Sequence, residues 1–153
     1  IFVPLGQAIY PINSRAFAEG ISNGLRSAIR TGIFFGIIGV AAAIAFLASY
    51  SLFRNYFGYP PESHIYFLLF AFWIIIGVVN NILGAQILTA GGHSHVYAKC
   101  FHAAAIVFIF SAYFLIGAYA GKGAVYSLLI AEVSLSALLL TSVIFIFREA
   151  KLK

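Results

Sequence analysis

Four long apolar runs, separated by short polar segments, set the layout of this chain: 33–53, 65–90, 101–120 and 124–147. A hydrocarbon core about 30 Å thick needs roughly 20 apolar residues at about 1.5 Å rise each, so every run is long enough to cross it as a helix. The run 65–90 exceeds that need and is expected to tilt, or to extend past the headgroups at 88–92. Residues 1–12, interrupted by Pro4 and Pro11, read as the tail of a fifth span. The segment 15–32 places Phe17, Ile21, Leu25 and Ala28 at helical spacing with Arg26 and Arg30 on another side. That pattern fits either a helix lying along the interface or a linker helix.

Composition settles the solvent. The chain is 63% hydrophobic and 8% charged, with sixteen Phe, whereas about a quarter of residues are charged in soluble proteins. The expected fold class is therefore all-α, a polytopic transmembrane helix bundle of four full spans plus the end of a fifth. The net charge of +5 does not point to nucleic acid, because the basic residues sit in the short segments between apolar runs. Alternate segments share a side: Arg15, Arg26, Arg30, Lys99, Arg148, Lys151 and Lys153 fall on one, Arg54 and Lys122 on the other. Seven against two places both ends of the chain in the cytoplasm by the positive-inside rule. Cys100 is the only cysteine, which excludes an internal disulfide. The chain has no Met, opens at Ile1 and shows no basic leader with a small-residue cleavage site, so a fragment of a longer protein is expected.

In lipid, helices associate through close approach at small residues and through buried polar contacts. Gly36 and Gly39 in the first run, Gly77 and Gly84 in the second, and Gly117 and Gly121 at the end of the third are the expected packing glycines. Gly77, Asn80, Asn81 and Gly84 fall on one helical sector, since steps of three, four and seven return to the same face. An amide facing lipid loses its water partners at several kcal/mol, so this sector must meet other helices or a wet cavity. Glu132 is the only acid inside a run, about eight residues into it and about 12 Å from its outer end. An embedded carboxyl is a functional candidate, and Glu132 is the candidate for proton coupling. The alternative is a structural carboxyl satisfied by Ser127 and Ser136.

Catalytic chemistry finds little to use. The chain has no Asp, and no paired carboxylates or Ser/His/acid grouping is evident. His93, His95 and His102 lack the acid or cysteine partners of a ligand set, so no metal site is expected, and no cofactor. The stretch from Gly117 to Val125 is one residue short of a phosphate loop and has no Ser or Thr after Lys122.

Three stretches, "GQAIYPINSRAFAEG", "NNILGAQILTAGGHSHVYAKC" and "GAYAGKGAVYSLLIAEVSLSALLL", together resemble the carboxy-terminal part of the O-antigen and capsular polysaccharide flippases of the multidrug/oligosaccharidyl-lipid/polysaccharide exporter superfamily. The resemblance implies that the chain is part of a two-lobe, twelve-helix transporter of the bacterial inner membrane. It further implies translocation of an undecaprenyl-diphosphate-linked oligosaccharide from inner to outer leaflet by alternating access. The implied partners are the lipid-linked substrate, membrane lipid, the missing amino-terminal lobe, and a polysaccharide polymerase with its chain-length regulator. An anionic lipid diphosphate asks for cations at the entry, for which Arg26 and Arg30 are candidates. A hydroxyl-rich sugar asks for amides along a wet cavity, for which Asn80, Asn81 and Gln86 are candidates. A drug or cation antiporter of the same superfamily, using Glu132, is the alternative within transport; a non-transporting four-helix scaffold is the alternative outside it.

Overall fold

The structure, a computed structural model, describes the backbone of residues 2–150 and the side-chain surroundings of residues 6–148. Helices α1 (Phe2–Glu19), α2 (Ile21–Phe57), α3 (His64–Asn81), α4 (Ser94–Tyr119) and α5 (Gly121–Ala150) account for nearly all of it, with no strand among the described residues. A short 3-10 turn, Pro61–Ser63, leads into α3, and a π-helical stretch, Ile82–Thr89, continues it. Four helical segments, Ile21–Phe57, Pro61–Thr89, Ser94–Tyr119 and Gly121–Arg148, are long and apolar enough to cross a membrane. Each holds one of the apolar runs to within its last residue, so the all-α bundle expected from the sequence is the fold.

The bundle is two helical hairpins with α1 laid across one side. In the first, Phe46 of α2 stacks on Phe67 of α3 at 5.0 Å. In the second, Cys100 and Ala104 of α4 meet Leu135 and Leu139 of α5, with Leu88 of the π stretch completing this small core. The turn between α4 and α5 is a single residue, Ala120. It closes so tightly that a Cβ on Gly123 would lie 1.9 Å from the Leu115 carbonyl oxygen. Large apolar side chains point outward along every span, among them Ile37, Phe72, Ile109 and Phe145. In water such a surface would drive aggregation; in a bilayer it is the lipid-facing side.

The helix order fixes which segments share an end. At one end Phe17 stacks on Phe147 at 6.0 Å, and His93 packs edge-on against the same ring at 6.2 Å. Arg15, Arg26, Arg30, Lys99 and Arg148 belong to this end; Lys151 and Lys153 lie outside the described residues. At the other end, where Arg54 and Lys122 sit, the start of α5 approaches the Tyr66 hydroxyl.

Residues 15–32 do not form one interfacial helix. Gly20, with φ +144°, divides them: α1 runs to Glu19 with Pro11 inside it, and 21–32 are the first turns of the 37-residue α2. Nothing between Thr31 and Ile33 breaks the helix, and Ser27 and Thr31 turn inward onto α1, so the polar stretch extends the span. Its buried positions, Gly24, Ala28, Gly32, Phe35, Gly39 and Ala43, form one stripe at spacings of three and four.

The expected packing glycines divide. A Cβ on Gly39 would come 2.6 Å from Val78 Cγ2, and one on Gly84 2.4 Å from the Tyr97 ring, so both permit close helix approach. One on Gly121 would lie 3.8 Å from the Tyr66 hydroxyl, an ordinary contact. Gly36, Gly77 and Gly117 have nothing within 4 Å on that side, so they make no close helix contact among the described residues. The buried stripe of α2 contains Gly32 but not Gly36, which lies at its edge beside the exposed Ile33, Ile37 and Val40.

Candidate functional site

Two separate hydrogen-bond networks lie inside the bundle. The first joins α3 to α5. Asn80 Nδ2 donates to Glu132 Oε2 at 2.6 Å and to the Glu132 main-chain carbonyl at 3.2 Å, while Trp73 Nε1 donates to Glu132 Oε1 at 3.2 Å. Ser136 Oγ donates to Asn80 Oδ1 at 2.6 Å, with the Glu132 carbonyl 3.1 Å away as a second acceptor. Steps of three and four along α3 and α5 put Trp73, Asn80, Glu132 and Ser136 on facing stripes. Ser127, expected beside Ser136 as a partner of Glu132, instead donates to the Gly123 carbonyl of its own helix at 2.8 Å.

Both oxygens of the Glu132 carboxyl thus accept from neutral N–H donors, and no cation pairs with it among the described residues. Its other side lines an apolar cavity of about 210 Å³ between α4 and α5, walled by Phe101, Ala104, Phe108 and Leu135. The carboxyl is therefore held by fixed donors on one side and meets an open apolar space on the other.

The second network ties α1 and α2 to the π stretch. Asn13, fully buried, donates through Nδ2 to Gln86 Oε1 at 2.8 Å and to Thr31 Oγ1 at 3.1 Å, and its Oδ1 accepts from Ser27 Oγ at 2.7 Å. Gln86, also fully buried, donates through Nε2 to the Gly6 carbonyl at 3.2 Å. The widened turn of the π stretch carries Gln86 to this position. Its five-residue hydrogen bonds, such as Ala90 N–H to the Ala85 carbonyl at 3.2 Å, replace the four-residue ladder.

The sector Gly77, Asn80, Asn81 and Gly84 is therefore not one functional face. Asn80 turns to α5, Gly84 to Tyr97 of α4, Gly77 to open space and Asn81 to α1. Adjacent positions are about 100° apart on a helix, enough for two neighbouring amides to meet different helices. Gln86 is fully buried and held by Asn13 and the Gly6 carbonyl, whereas Asn81 borders a cavity. With Gly6, Gln7, Tyr10 and Ala85 it borders a cavity of about 270 Å³ between α1 and the π stretch. Asn81 Oδ1 is a buried acceptor without a hydrogen-bond partner among the described residues. Arg26 and Arg30 are exposed on α2, away from this cavity's lining, and neither forms an ion pair among the described residues.

Asn13, Ser27 and Thr31 are not evident from the sequence because they fall in a segment that looks like a polar linker, and Gln7 because it falls in 1–12, which reads as the tail of a span. The signal for them is the placement of Ser27 and Thr31 four apart, one turn on the same face as Gly24 and Ala28. His93 and His95 stand 6.3 Å apart at the charged end, and His102 Nδ1 lies 2.6 Å from the Ala98 carbonyl in its own helix. No group of three or more His, Cys, Asp or Glu that could hold a metal occurs among the described residues.

Fold and site together define a multi-pass, all-α membrane protein with polar networks inside its helix bundle. No family model, curated protein or solved structure matches the chain.

Proposed function

We propose that the chain is part of a flippase that carries a lipid-linked oligosaccharide across the bacterial inner membrane, from the inner to the outer leaflet, with both ends of the chain in the cytoplasm. One observation supports the reading most: Asn81, whose buried Oδ1 has no hydrogen-bond partner among the described residues, borders the cavity it shares with Gln7 and Tyr10. A buried acceptor left unmade costs roughly 1–3 kcal/mol, so a turn of the Asn81 side chain toward a hydroxyl donor in that cavity is favoured. Sugar hydroxyls supply such donors in number, and the Tyr10 ring and Gln7 amide supply a face and further polar atoms. The basic residues gathered at the Phe17–Phe147 end suit the approach of an anionic diphosphate headgroup. The rest of the cavity, and the second lobe required for alternating access, belong to the missing helices.

The test substitutes Asn81 and Asn80 by Ala separately and measures surface polysaccharide beside membrane abundance. Asn81→Ala is expected to lower export at unchanged abundance, and Asn80→Ala to lower abundance. Normal export in Asn81→Ala at normal abundance would remove the cavity role and favour a scaffold. A second reading, a drug or cation antiporter, draws on Glu132, a carboxyl without a cation partner on an apolar cavity. Glu132→Gln compared with the parent across a pH range decides it: a transport profile unchanged by the substitution sinks proton coupling.

A further inference from the structure

A cavity of about 400 Å³ inside the α2–α3 hairpin is used by neither network, and it is built differently from the others. Its walls are the rings of Phe46, Phe53 and Phe67, and its rim at the turn end carries Tyr59, Ser63 and Tyr66. Phe46 stacks on Phe67 at 5.0 Å, and Phe53 stands 5.7 Å from Phe67 and 5.9 Å from Tyr59. Tyr50, just outside, is engaged with the Pro61 carbonyl at 3.1 Å. The side-chain hydroxyls of Tyr59, Ser63 and Tyr66 make no hydrogen bond among the described residues. The charged residues of this turn, Arg54 and Glu62, do not line the cavity.

Aromatic walls and free hydroxyls at one rim define the ligand's chemistry. Ring faces carry negative charge density and attract polarised C–H groups, such as those on the flat side of a pyranose. An organic cation is also drawn to such faces, but no carboxylate lines this cavity to pair with its charge, whereas hydroxyls line its rim. Because the hydroxyls cluster near the turn while Phe46 lies about three helical turns deeper, the cavity grades from polar at the interface to apolar within. We propose that this aromatic box binds the head of a glycoside amphiphile at the end of the bundle opposite the Phe17–Phe147 contact. Its sugar lies against Phe53 and Tyr59, its hydroxyls meet Tyr59, Ser63 and Tyr66, and its chain runs along Phe46 into the bilayer. The inference rests on the flippase reading in that a lipid-linked glycan belongs to this class, and it adds a site for the cargo away from the Asn81 cavity.

The box comes with its own reporter. Phe70 packs 6.4 Å from Phe46 and 6.3 Å, edge-on, from Trp73, the sole tryptophan of the chain. The whole protein in lipid nanodiscs is titrated with octyl glucoside below its micelle concentration, following tryptophan emission with Trp73→Phe as the blank. The control amphiphile is tetraethylene glycol monooctyl ether, which has the same tail and no sugar. We expect a saturable change with the glucoside at a half-saturation about tenfold lower than with the ether. The double substitution Tyr59→Phe, Tyr66→Phe keeps the rings and is expected to weaken the glucoside response about tenfold while leaving the ether response unchanged, the size of two lost hydrogen bonds. Equal response to both amphiphiles, no response, or a double variant that binds glucoside like the parent overturns the proposal. The readout is binding, so the two readings fail separately. Glucoside binding in a protein whose deletion leaves surface polysaccharide normal removes the flippase, and lost polysaccharide without glucoside binding removes the box.

Discussion

Asn80 and Glu132 meet across α3 and α5 at 2.6 Å, and this contact, with Trp73 and Ser136 around it, joins the two hairpins through polar atoms inside an apolar bundle. Interhelical hydrogen bonds in membranes contribute roughly 0.6–2 kcal/mol each, because the separated helices also find partners. Orphaning a buried group costs more, roughly 1–3 kcal/mol. Asn80→Ala is therefore expected to destabilise the fold by about 1–3 kcal/mol in a denaturation series in mild detergent. A double-mutant cycle with Glu132→Ala is expected to return a coupling of about 0.6–2 kcal/mol. Additive effects would show that the contact contributes nothing.

The Asn13–Gln86 pair makes the opposite claim from Asn81. Gln86→Leu leaves Asn13 Nδ2 with Thr31 alone and releases the Gly6 carbonyl, and about 1–3 kcal/mol of stability is expected to be lost. Asn81→Ala removes a buried acceptor that has no partner among the described residues, together with its desolvation cost, so stability is expected to hold or to rise by up to about 3 kcal/mol. Equal losses in the two variants, measured by the same unfolding assay, would contradict the division between them.

Glycines that look alike in the sequence are expected to separate on substitution. Gly39→Ala and Gly84→Ala press a methyl onto Val78 and Tyr97, at a cost of about 1–3 kcal/mol. Gly36→Ala meets nothing and is expected to leave the melting temperature unchanged or raised, since Ala favours helix over Gly by about 1 kcal/mol. Val78→Ala is expected to restore part of the loss in Gly39→Ala, because Val78 Cγ2 is the atom in the way.

Gly123 admits no such rescue. The obstacle to its Cβ is the Leu115 backbone, which cannot swing aside without opening the turn at Ala120. Gly123→Ala is expected to reduce folded protein in the membrane more than any other glycine substitution here, read as abundance after extraction in a mild detergent.

The number of membrane-spanning helices was legible in the residues alone, whereas the start of α2 was not, since it begins at Ile21, well before the apolar run at 33. Inside lipid every segment must satisfy its own backbone, so an apolar run of sufficient length becomes a helix whatever it packs against. Glycine and proline likewise mark the turns near Gly58, Gly92 and Gly121, because those are local properties of the chain. The direction of each polar side chain is not local. Asn80 and Asn81 are chemically identical neighbours, yet one is saturated by α5 and the other faces a cavity beside α1. That difference arises from where two other helices stand. Asn13 and Gln86 are 73 positions apart, and their meeting depends on α1 folding back along α2 and on the π turn at 82–89 shifting the register behind Asn81. Periodicity places a residue on its own helix; which helix lies opposite is decided only when all of them pack.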